Sequence, residues 1–248
     1  MKLLRPVIIF LGLLVVWQLL VSITGVAAFI LPAPLSVLSA LFAQWPLLLS
    51  HAGVTISEIL LGLGLGMLLG CSSALVIANF RSARLWILPV LVVSQAIPVF
   101  ALAPILVLWL GYGLASKVAM ATLIIYFPVT VAFYDGLRRT EPGWLDLAQV
   151  MGGSRWRTLT QIRIPAALPA LASGLRVAAS VAPIGAIVGE WVGSSAGLGY
   201  LMLHANARLQ VDVMFAALLV LALFAVCLYF SIDRGLRLLI PWQADKTL

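Results

Sequence analysis

Six long apolar stretches dominate this chain of 248 residues. Each approaches the roughly 20 residues that a helix needs to cross the hydrocarbon core of a membrane. Charged residues make up only 9% of the chain, whereas soluble domains carry about 25%, so a soluble enzyme is excluded. The sequence therefore predicts an all-α integral membrane protein, with residues 1–248 as a single transmembrane domain. The predicted spans are 7–23, 56–78, 85–110, 115–134, 170–192 and 213–232.

Lysine and arginine residues cluster in alternate loops. They precede the first span, separate the second from the third and the fourth from the fifth, and follow the sixth: Lys2, Arg5, Arg81, Arg84, Arg138, Arg139, Arg155, Arg157, Arg163, Arg234, Arg237 and Lys246. On the other side lie Lys117 and Arg208, while Arg176 falls within the fifth span. Because cytoplasmic loops carry the excess of positive charge, both termini are predicted to be cytoplasmic. The net charge of +7 is thus a topology signal, and no nucleic-acid partner is expected.

Glycines recur at every fourth position in two spans. Gly62, Gly66 and Gly70 share one face of the second span, and the fifth span repeats this spacing from Gly185 to Gly193. A glycine loop that holds phosphate needs a preceding strand and a helix that opens into solvent, and neither is expected inside an apolar run. The favoured interpretation is close helix packing, because small residues allow two backbones to approach.

The third span contains three prolines and a polar side chain. Pro89, Pro98 and Pro104 each remove a backbone donor, so the freed carbonyl groups need partners from neighbouring helices or from a water-filled cavity. Gln95 adds a polar group to the same span. We therefore predict an irregular helix, with Gln95 and Pro98 as candidates for a translocation pathway. A bent helix with a purely structural role remains the alternative.

Ionisable residues inside the fifth span are the other pathway candidates. Glu190 has apolar neighbours near the outer end, and an ionisable group there is costly unless it faces protein or water. Trp191 and Arg176 join it as candidates, with structural pairing of Arg176 and interfacial anchoring of Trp191 as the alternatives. Glu58 is expected to reach interfacial water, and Asp233 to balance the charge of nearby arginines.

No catalytic constellation is recognisable. His51 and His204 fall in predicted outer loops, far apart, and lack a second histidine at a spacing suited to a metal. A serine hydrolase needs a nucleophile, a base and an orienting acid, and these histidines offer no convincing base. The nucleotide-binding run Gly-x-x-x-x-Gly-Lys-Ser/Thr is absent. The sequence thus predicts neither an enzyme nor a bound cofactor or metal.

Residues 136–169 form an unusually long cytoplasmic loop between the fourth and fifth spans. Ala148, Val150 and Met151, followed by Trp156 and Leu159, suggest short amphipathic helices that are broken at 152–153. Solvent alone would not favour a tryptophan in such a loop. We therefore expect this loop to dock a protein partner.

The loop resembles the Glu-Ala-Ala loop of permease subunits in binding-protein-dependent ABC importers. That pattern reads Glu-Ala-Ala, three residues, Gly, nine residues, Ile-x-Leu-Pro. Gly152 and Ile162 match it in register, whereas Asp146 and Leu147 depart from it. The resemblance implies that these residues couple the chain to an ATPase: Asp146, Ala148, Gly152, Gly153, Ser154, Arg155, Trp156, Ile162 and Pro165.

The same resemblance implies an assembly in a bacterial inner membrane. This chain would have a type I importer permease fold and would form a homodimer with a second copy. Two cytoplasmic ATPase subunits and an external solute-binding protein would complete the assembly. A secondary transporter or channel is the alternative of another class, but similar segments, which many such folds carry as internal repeats, are not found in the two halves. A membrane-embedded enzyme is disfavoured by the lack of a catalytic constellation.

Two proline-containing segments, 31–34 and 97–104, look like the nitrate, sulfonate and taurine branch of this family. The outer segment 189–200, with His204 and Asn206 beyond it, resembles importers of thiamine pyrimidine precursors. It offers aromatic faces, an acid and amide or hydroxyl groups, which suit a flat ring that contains nitrogen. The predicted cargo is a pyrimidine precursor, with a sulfonate, taurine or nitrate-like anion as the alternative.

Overall fold

The computed structural model describes residues 4–242, apart from the side chains of 4–7, 10, 95 and 96. Lys2 and Lys246 thus lie outside the described residues, as does the side chain of Gln95. The described chain is a succession of helices linked by short turns. The helices are α1 (Leu4–Thr24), α2 (Pro34–Ala43), α3 (Trp45–Asn79), α4 (Arg81–Ala96), α5 (Val99–Leu110), α6 (Leu114–Arg138), α7 (Pro142–Val150), α8 (Arg155–Thr158), α9 (Ile164–Gly193), α10 (Leu198–Ala207) and α11 (Val211–Leu239), with a π-helical turn at Leu159–Arg163.

The length and composition of the described helices fit an integral membrane protein. Four of them can cross a membrane on these criteria, namely α3, α6, α9 with the turns that lead into it, and α11. The pair α4 and α5 makes a fifth crossing if this broken helix is counted as one span. The first predicted span coincides with α1, whose segment Leu11–Thr24 is a shorter apolar helix. The sixth crossing therefore stays a prediction.

The glycine face of α3 packs against α6, as its spacing predicts. A Cβ atom added at Gly66 would lie 2.5 Å from Cγ2 of Ile125, and one at Gly70 would lie 2.9 Å from Cγ1 of Val129. One turn earlier, a Cβ atom at Gly62 would overlap Ala121. Both partners advance by four residues together, so the two helices run parallel and in close contact.

Helix α9 packs along α6 in the opposite direction. Gly174 faces Ala132 and Pro128. Further along α9, a Cβ atom added at Gly185 would lie 2.6 Å from Cα of Ala121. The directions of α3, α6 and α9 agree with alternate crossings in the second, fourth and fifth spans. The end of α3, the end of α6 and the start of α9 consequently share one end of the molecule.

Two predicted boundaries and the continuity of the third span need correction. Helix α3 begins at Trp45, eleven residues before the expected start of the second span at 56. Helix α9 begins at Ile164 and not at 170, so the last part of the predicted loop belongs to the helix. The third span consists of two helices, and the chain bends by about 104° between them. Proline explains the break, since Pro98 cannot donate a backbone hydrogen bond.

Two buried apolar clusters hold the helices together. One joins α2, α3, α6, α9, α10 and α11, and the other lies where α3 and α6 end and includes Ala74, Ile77 and Leu137. Helix α1 adds to the first cluster, because the ring of Trp17 lies 5.6 Å from that of Phe215 on α11. The second cluster also includes Leu159 and so anchors the π-helical turn that leads into α9.

Candidate functional site

A tight glycine turn joins the two short helices at the shared end of α3 and α6. The predicted break at 152–153 is confirmed, because α7 ends before it and α8 begins after it. Gly152 has φ of +71°, which side chains other than glycine rarely adopt. The amide of Gly153 donates to the carbonyl oxygen of Ala148 at 2.8 Å and so closes α7. Ser154 then caps α8, since its hydroxyl accepts the amide hydrogen of Arg157 at 3.3 Å.

Large apolar side chains lie exposed around this turn. Val150 is 86% exposed, Met151 77% and Trp156 71%, and Leu147 and Trp144 are more than half exposed. Scattered apolar residues on a surface are ordinary, but a contiguous group indicates a contact with a protein or a membrane. This group lies on both sides of the turn.

A pocket of about 470 Å³ opens beside these side chains. Ala148, Ile162 and Pro165 line it together with Trp144 and Trp242. The structure thus brings together three of the predicted coupling residues that are far apart in the loop. Gly153 and Arg155 line a different pocket, nearer the end of α3.

Asp146 is the acid of the predicted loop pattern, and it lies exposed on α7. It forms no ion pair within the described residues, where the two salt bridges are those of Asp233. The short helices are instead tied to the bundle through Arg163. Its Nη2 donates to the carbonyl oxygen of Leu137 at 3.2 Å.

At the opposite end of the molecule, buried polar side chains accept hydrogen bonds from the first amides of α10. Glu190 is 1% exposed and accepts hydrogen bonds from the amides of Gly199 at 2.5 Å and Tyr200 at 3.2 Å. Thr55 donates to Glu190 at 2.5 Å and accepts the amide hydrogen of Leu198 at 2.7 Å. A carboxylate at a helix N-terminus satisfies amides that have no partner within the helix. These contacts fix α10 against α3 and α9.

The turn before α10 depends on Gly197. Its φ is +113°, and a Cβ atom there would overlap the carboxylate of Glu190. Its amide donates to Nδ1 of His51 at 2.9 Å. Four consecutive amides, from 197 to 200, therefore bond to side chains of α3 and α9.

A match to a known protein family identifies the kind of protein that carries the glycine turn and the buried polar network. The family model described as "Binding-protein-dependent transport system inner membrane component" matches residues 62–244. The chain belongs to this family. It is a permease of the binding-protein-dependent ABC importer type, in agreement with the loop resemblance. The match also supports the assignment to the bacterial inner membrane.

Three relatives cover nearly the whole permease. A "Probable ABC transporter permease protein" of Haemophilus influenzae is 59% identical over 94% of this chain and 95% of its own length. The formylaminopyrimidine transport permease protein ThiX of Halalkalibacterium halodurans is 37% identical over 98% and 97%. The riboflavin transport system permease protein RibX of Chloroflexus aurantiacus is 37% identical over 94% and 88%.

A solved transporter shares the fold of the permease. A chain of the MetNI methionine ABC transporter, in a structure titled as inward facing, matches with a TM-score of 0.69 at 18% identity. The match covers 79% of this permease and 97% of that chain. At this identity the likeness concerns the fold alone, and it confirms the expected importer permease fold.

The predicted pathway residues of the permease do not meet at one place. Nε of Arg176 lies 2.6 Å from a carboxylate oxygen of Asp233 on α11, so the structural pairing considered above is present, and Asp233 balances charge as expected. Glu190 lies fourteen residues further along α9, about 21 Å away at 1.5 Å per residue. Trp191 is 46% exposed, and Pro98 lies at the break between α4 and α5.

Sequence reasoning missed the partners of Glu190. The expectation for Glu58 is wrong, because it is 1% exposed and lies beside Glu190, with one carboxylate oxygen lacking a hydrogen-bond partner in the described residues. Lys117 is also buried, and its Nζ donates to the carbonyl oxygens of Tyr112 and Gly113. The sequence offered one signal of this contact. Thr55 and Glu58 are polar residues in one long apolar helix, and Glu190 is a polar residue in another.

Proposed function

We propose that the permease forms the pathway for a thiamine pyrimidine precursor of the formylaminopyrimidine type. The observation that carries this proposal is the similarity to ThiX along 98% of the chain. The equally similar RibX is named for riboflavin. Both cargo names denote flat, nitrogen-containing rings, so the two relatives agree on the chemical class.

The outer end of the permease supports a flat, uncharged cargo. The rings of His51 and Tyr200 stack with centroids 5.9 Å apart, and the ring of His204 lies 4.0 Å from that of Tyr200. Aromatic faces suit a heteroaromatic ring. A sulfonate or nitrate group calls for cationic partners, and Lys117 is buried against carbonyl oxygens, which leaves Arg208 as the exposed cation of the two predicted on this side.

Calorimetry on the companion solute-binding protein tests the cargo. Formylaminopyrimidine, riboflavin, taurine and nitrate would be titrated separately into the same preparation. We expect formylaminopyrimidine to bind at least about a hundredfold more tightly than taurine or nitrate, a difference of about 2.7 kcal/mol. Tight binding of taurine or nitrate without the pyrimidine would refute it, and preference for riboflavin would replace the pyrimidine by a larger ring.

We further propose that two copies of the permease form the pathway. An apolar pocket of about 540 Å³ lies between α6 and α9, lined by Phe127, Pro128, Val131, Val177 and Val181 among others. Val177 is 52% exposed although it lies in the middle of a spanning helix. Cross-linking of a single cysteine at 177 in a cysteine-free background should give a dimer. A chain that stays monomeric in membranes would refute the homodimer.

We propose that the exposed apolar group around Gly152 docks the ATPase. Val150, Met151 and Trp156 are largely exposed and would lose water on contact with a partner groove. Of the predicted coupling residues, Trp156 belongs to this group, and Ala148, Ile162 and Pro165 line the adjacent pocket of about 470 Å³. ATP-driven closure of the ATPase subunits would then move α7 and α8, which are joined to α6 and α9.

A further inference from the structure

A second pocket lies at the same end of the permease, between the ends of α3 and α6 and the short helices. Its volume is about 700 Å³. Polar and basic side chains line much of it: Asn79, Arg138, Gln149, Arg155, Thr158 and Arg163. We call this the basic pocket. It is distinct from the apolar pocket beside Trp144 and Trp242.

The basic pocket concentrates positive charge without a matching acid. Arg138, Arg155 and Arg163 line it, and none of them forms a salt bridge in the part of the chain that the structure describes. The acidic residues of the adjoining segments, Asp135, Glu141 and Asp146, do not line it. Three guanidinium groups around one cavity repel each other, so an anion between them would be stabilised.

Arg84, near the start of α4, is a fourth positive charge at this end, although it does not line the pocket. It lies close enough to Arg163 for the two guanidinium groups to repel each other. Its Nε is buried and has no hydrogen-bond acceptor among the described residues. A buried donor without an acceptor costs free energy. Nε of Arg84 therefore has an unmet need for an acceptor atom at this end of the described chain.

The position of the pocket indicates which anion is available. Phe80, between α3 and α4, is exposed, and so are Leu85 and Trp86 at the start of α4, with Trp86 79% exposed. Aromatic residues concentrate at the interface between membrane and water. The positive-inside rule puts this end at the cytoplasmic leaflet, whose anionic lipids attract basic groups.

We propose that the basic pocket binds the phosphate group of an anionic phospholipid. Arg138, Arg155 and Arg163 contact the phosphate oxygens, because guanidinium groups present paired donors that match them. The acyl chains extend along the exposed apolar side of α4. The headgroup thereby links α6, α8 and the π-helical turn, which belong to the span ends and to the coupling helices.

Native mass spectrometry of the full-length chain in detergent tests this proposal. Dioleoyl phosphatidylglycerol, dioleoyl phosphatidylcholine and inorganic phosphate would be added in separate titrations, and the retained mass identifies the bound species. The expected result is retention of phosphatidylglycerol at about tenfold lower concentration than phosphatidylcholine. Equal retention of the two lipids, or retention of inorganic phosphate without lipid preference, would overturn the proposal.

Arg155→Gln provides the matched variant and Arg139→Gln its control. Arg155 is exposed, makes no side-chain hydrogen bond in the described chain and lines the pocket, so its replacement leaves the fold intact. Arg139 is also exposed and follows Arg138, but it does not line the pocket. We expect Arg155→Gln to weaken phosphatidylglycerol retention about tenfold and Arg139→Gln to leave it unchanged.

Two results with these variants would contradict the proposal. Equal loss in both would indicate attraction by overall charge without a pocket. Unchanged lipid retention in Arg155→Gln, together with reduced recovery of the ATPase, would assign Arg155 to an acidic surface of that partner instead.

Discussion

Thr55 and Glu190, on different helices, share a buried hydrogen bond of 2.5 Å. The same threonine hydroxyl accepts the amide hydrogen of Leu198 at 2.7 Å. One side chain therefore connects α3, α9 and α10. The outer loop after the fifth span is consequently held by buried polar contacts, which are costly to break in an apolar surrounding.

Thr55→Val should destabilise the permease strongly. Valine keeps the shape of threonine but removes one hydrogen bond of Glu190 and leaves the amide of Leu198 without its partner, at about 1–3 kcal/mol for a buried group. The melting temperature of the detergent-solubilised chain measures the effect. Ser57→Ala is the control, because that hydroxyl donates only to the carbonyl oxygen of Val54 in its own helix. Equal melting temperatures for the two variants would contradict the network.

Gly66→Ala should disturb the contact between α3 and α6. A Cβ atom there would lie 2.5 Å from Cγ2 of Ile125, so the helices must separate, at a cost of about 1–3 kcal/mol. Gly64→Ala is the matched control on the same helix, since its Cβ atom meets nothing within 4 Å. Chemical unfolding monitored by helix content compares them. A Gly66→Ala variant as stable as Gly64→Ala would refute the packing of this face.

The glycine spacing allowed this contact to be predicted because periodicity along one helix is local information. The break at 152–153 was predictable for the same reason, as were the irregular third span and the charged loops. The positive charges also indicated the relative directions of the spans, which the packing of α3, α6 and α9 reproduces.

The outer network could not be predicted in this way. Glu58 and Glu190 lie more than a hundred residues apart. The local sequence around each residue does not indicate that the two carboxyl groups meet. Hydrophobic scoring also placed the start of the second span too late, because the polar residues His51 and Thr55 interrupt the apolar run. In the folded chain, both residues lie within α3, and their side chains accept hydrogen bonds from the amides of Gly197 and Leu198.

The ion pair between Arg176 and Asp233 should be structural. Asp233 also accepts from Nε of Arg237 at 2.9 Å, so its carboxylate joins α9 to the end of α11. Arg176→Asp should lower the melting temperature, and the exchanged pair Arg176→Asp with Asp233→Arg should restore part of the loss. A double-mutant cycle measures the coupling. Zero coupling between the two positions would contradict a stabilising pair.

Single cysteines should confirm the orientation in the membrane. In a variant without Cys71 and Cys227, cysteines at Ser36 and Ser195 should react with an impermeant thiol reagent applied from outside. A cysteine at Ser154, which is exposed on the cytoplasmic turn, should react only after the membrane is permeabilised. The reverse labelling pattern would contradict the assigned sidedness.

Copurification of the ATPase tests most directly whether the glycine turn couples this permease to its motor. The tagged permease would be expressed in its native host, and the recovered ATPase would be quantified per permease. Gly152→Asp should lose the ATPase while still inserting into the membrane, because φ of +71° is strained with a side chain. Gly143→Asp is the control, since a Cβ atom there meets nothing within 4 Å. We expect full recovery of the ATPase with the unchanged chain and with Gly143→Asp. Coupling through this turn would be refuted if the unchanged chain brings down no ATPase or if Gly152→Asp retains all of it.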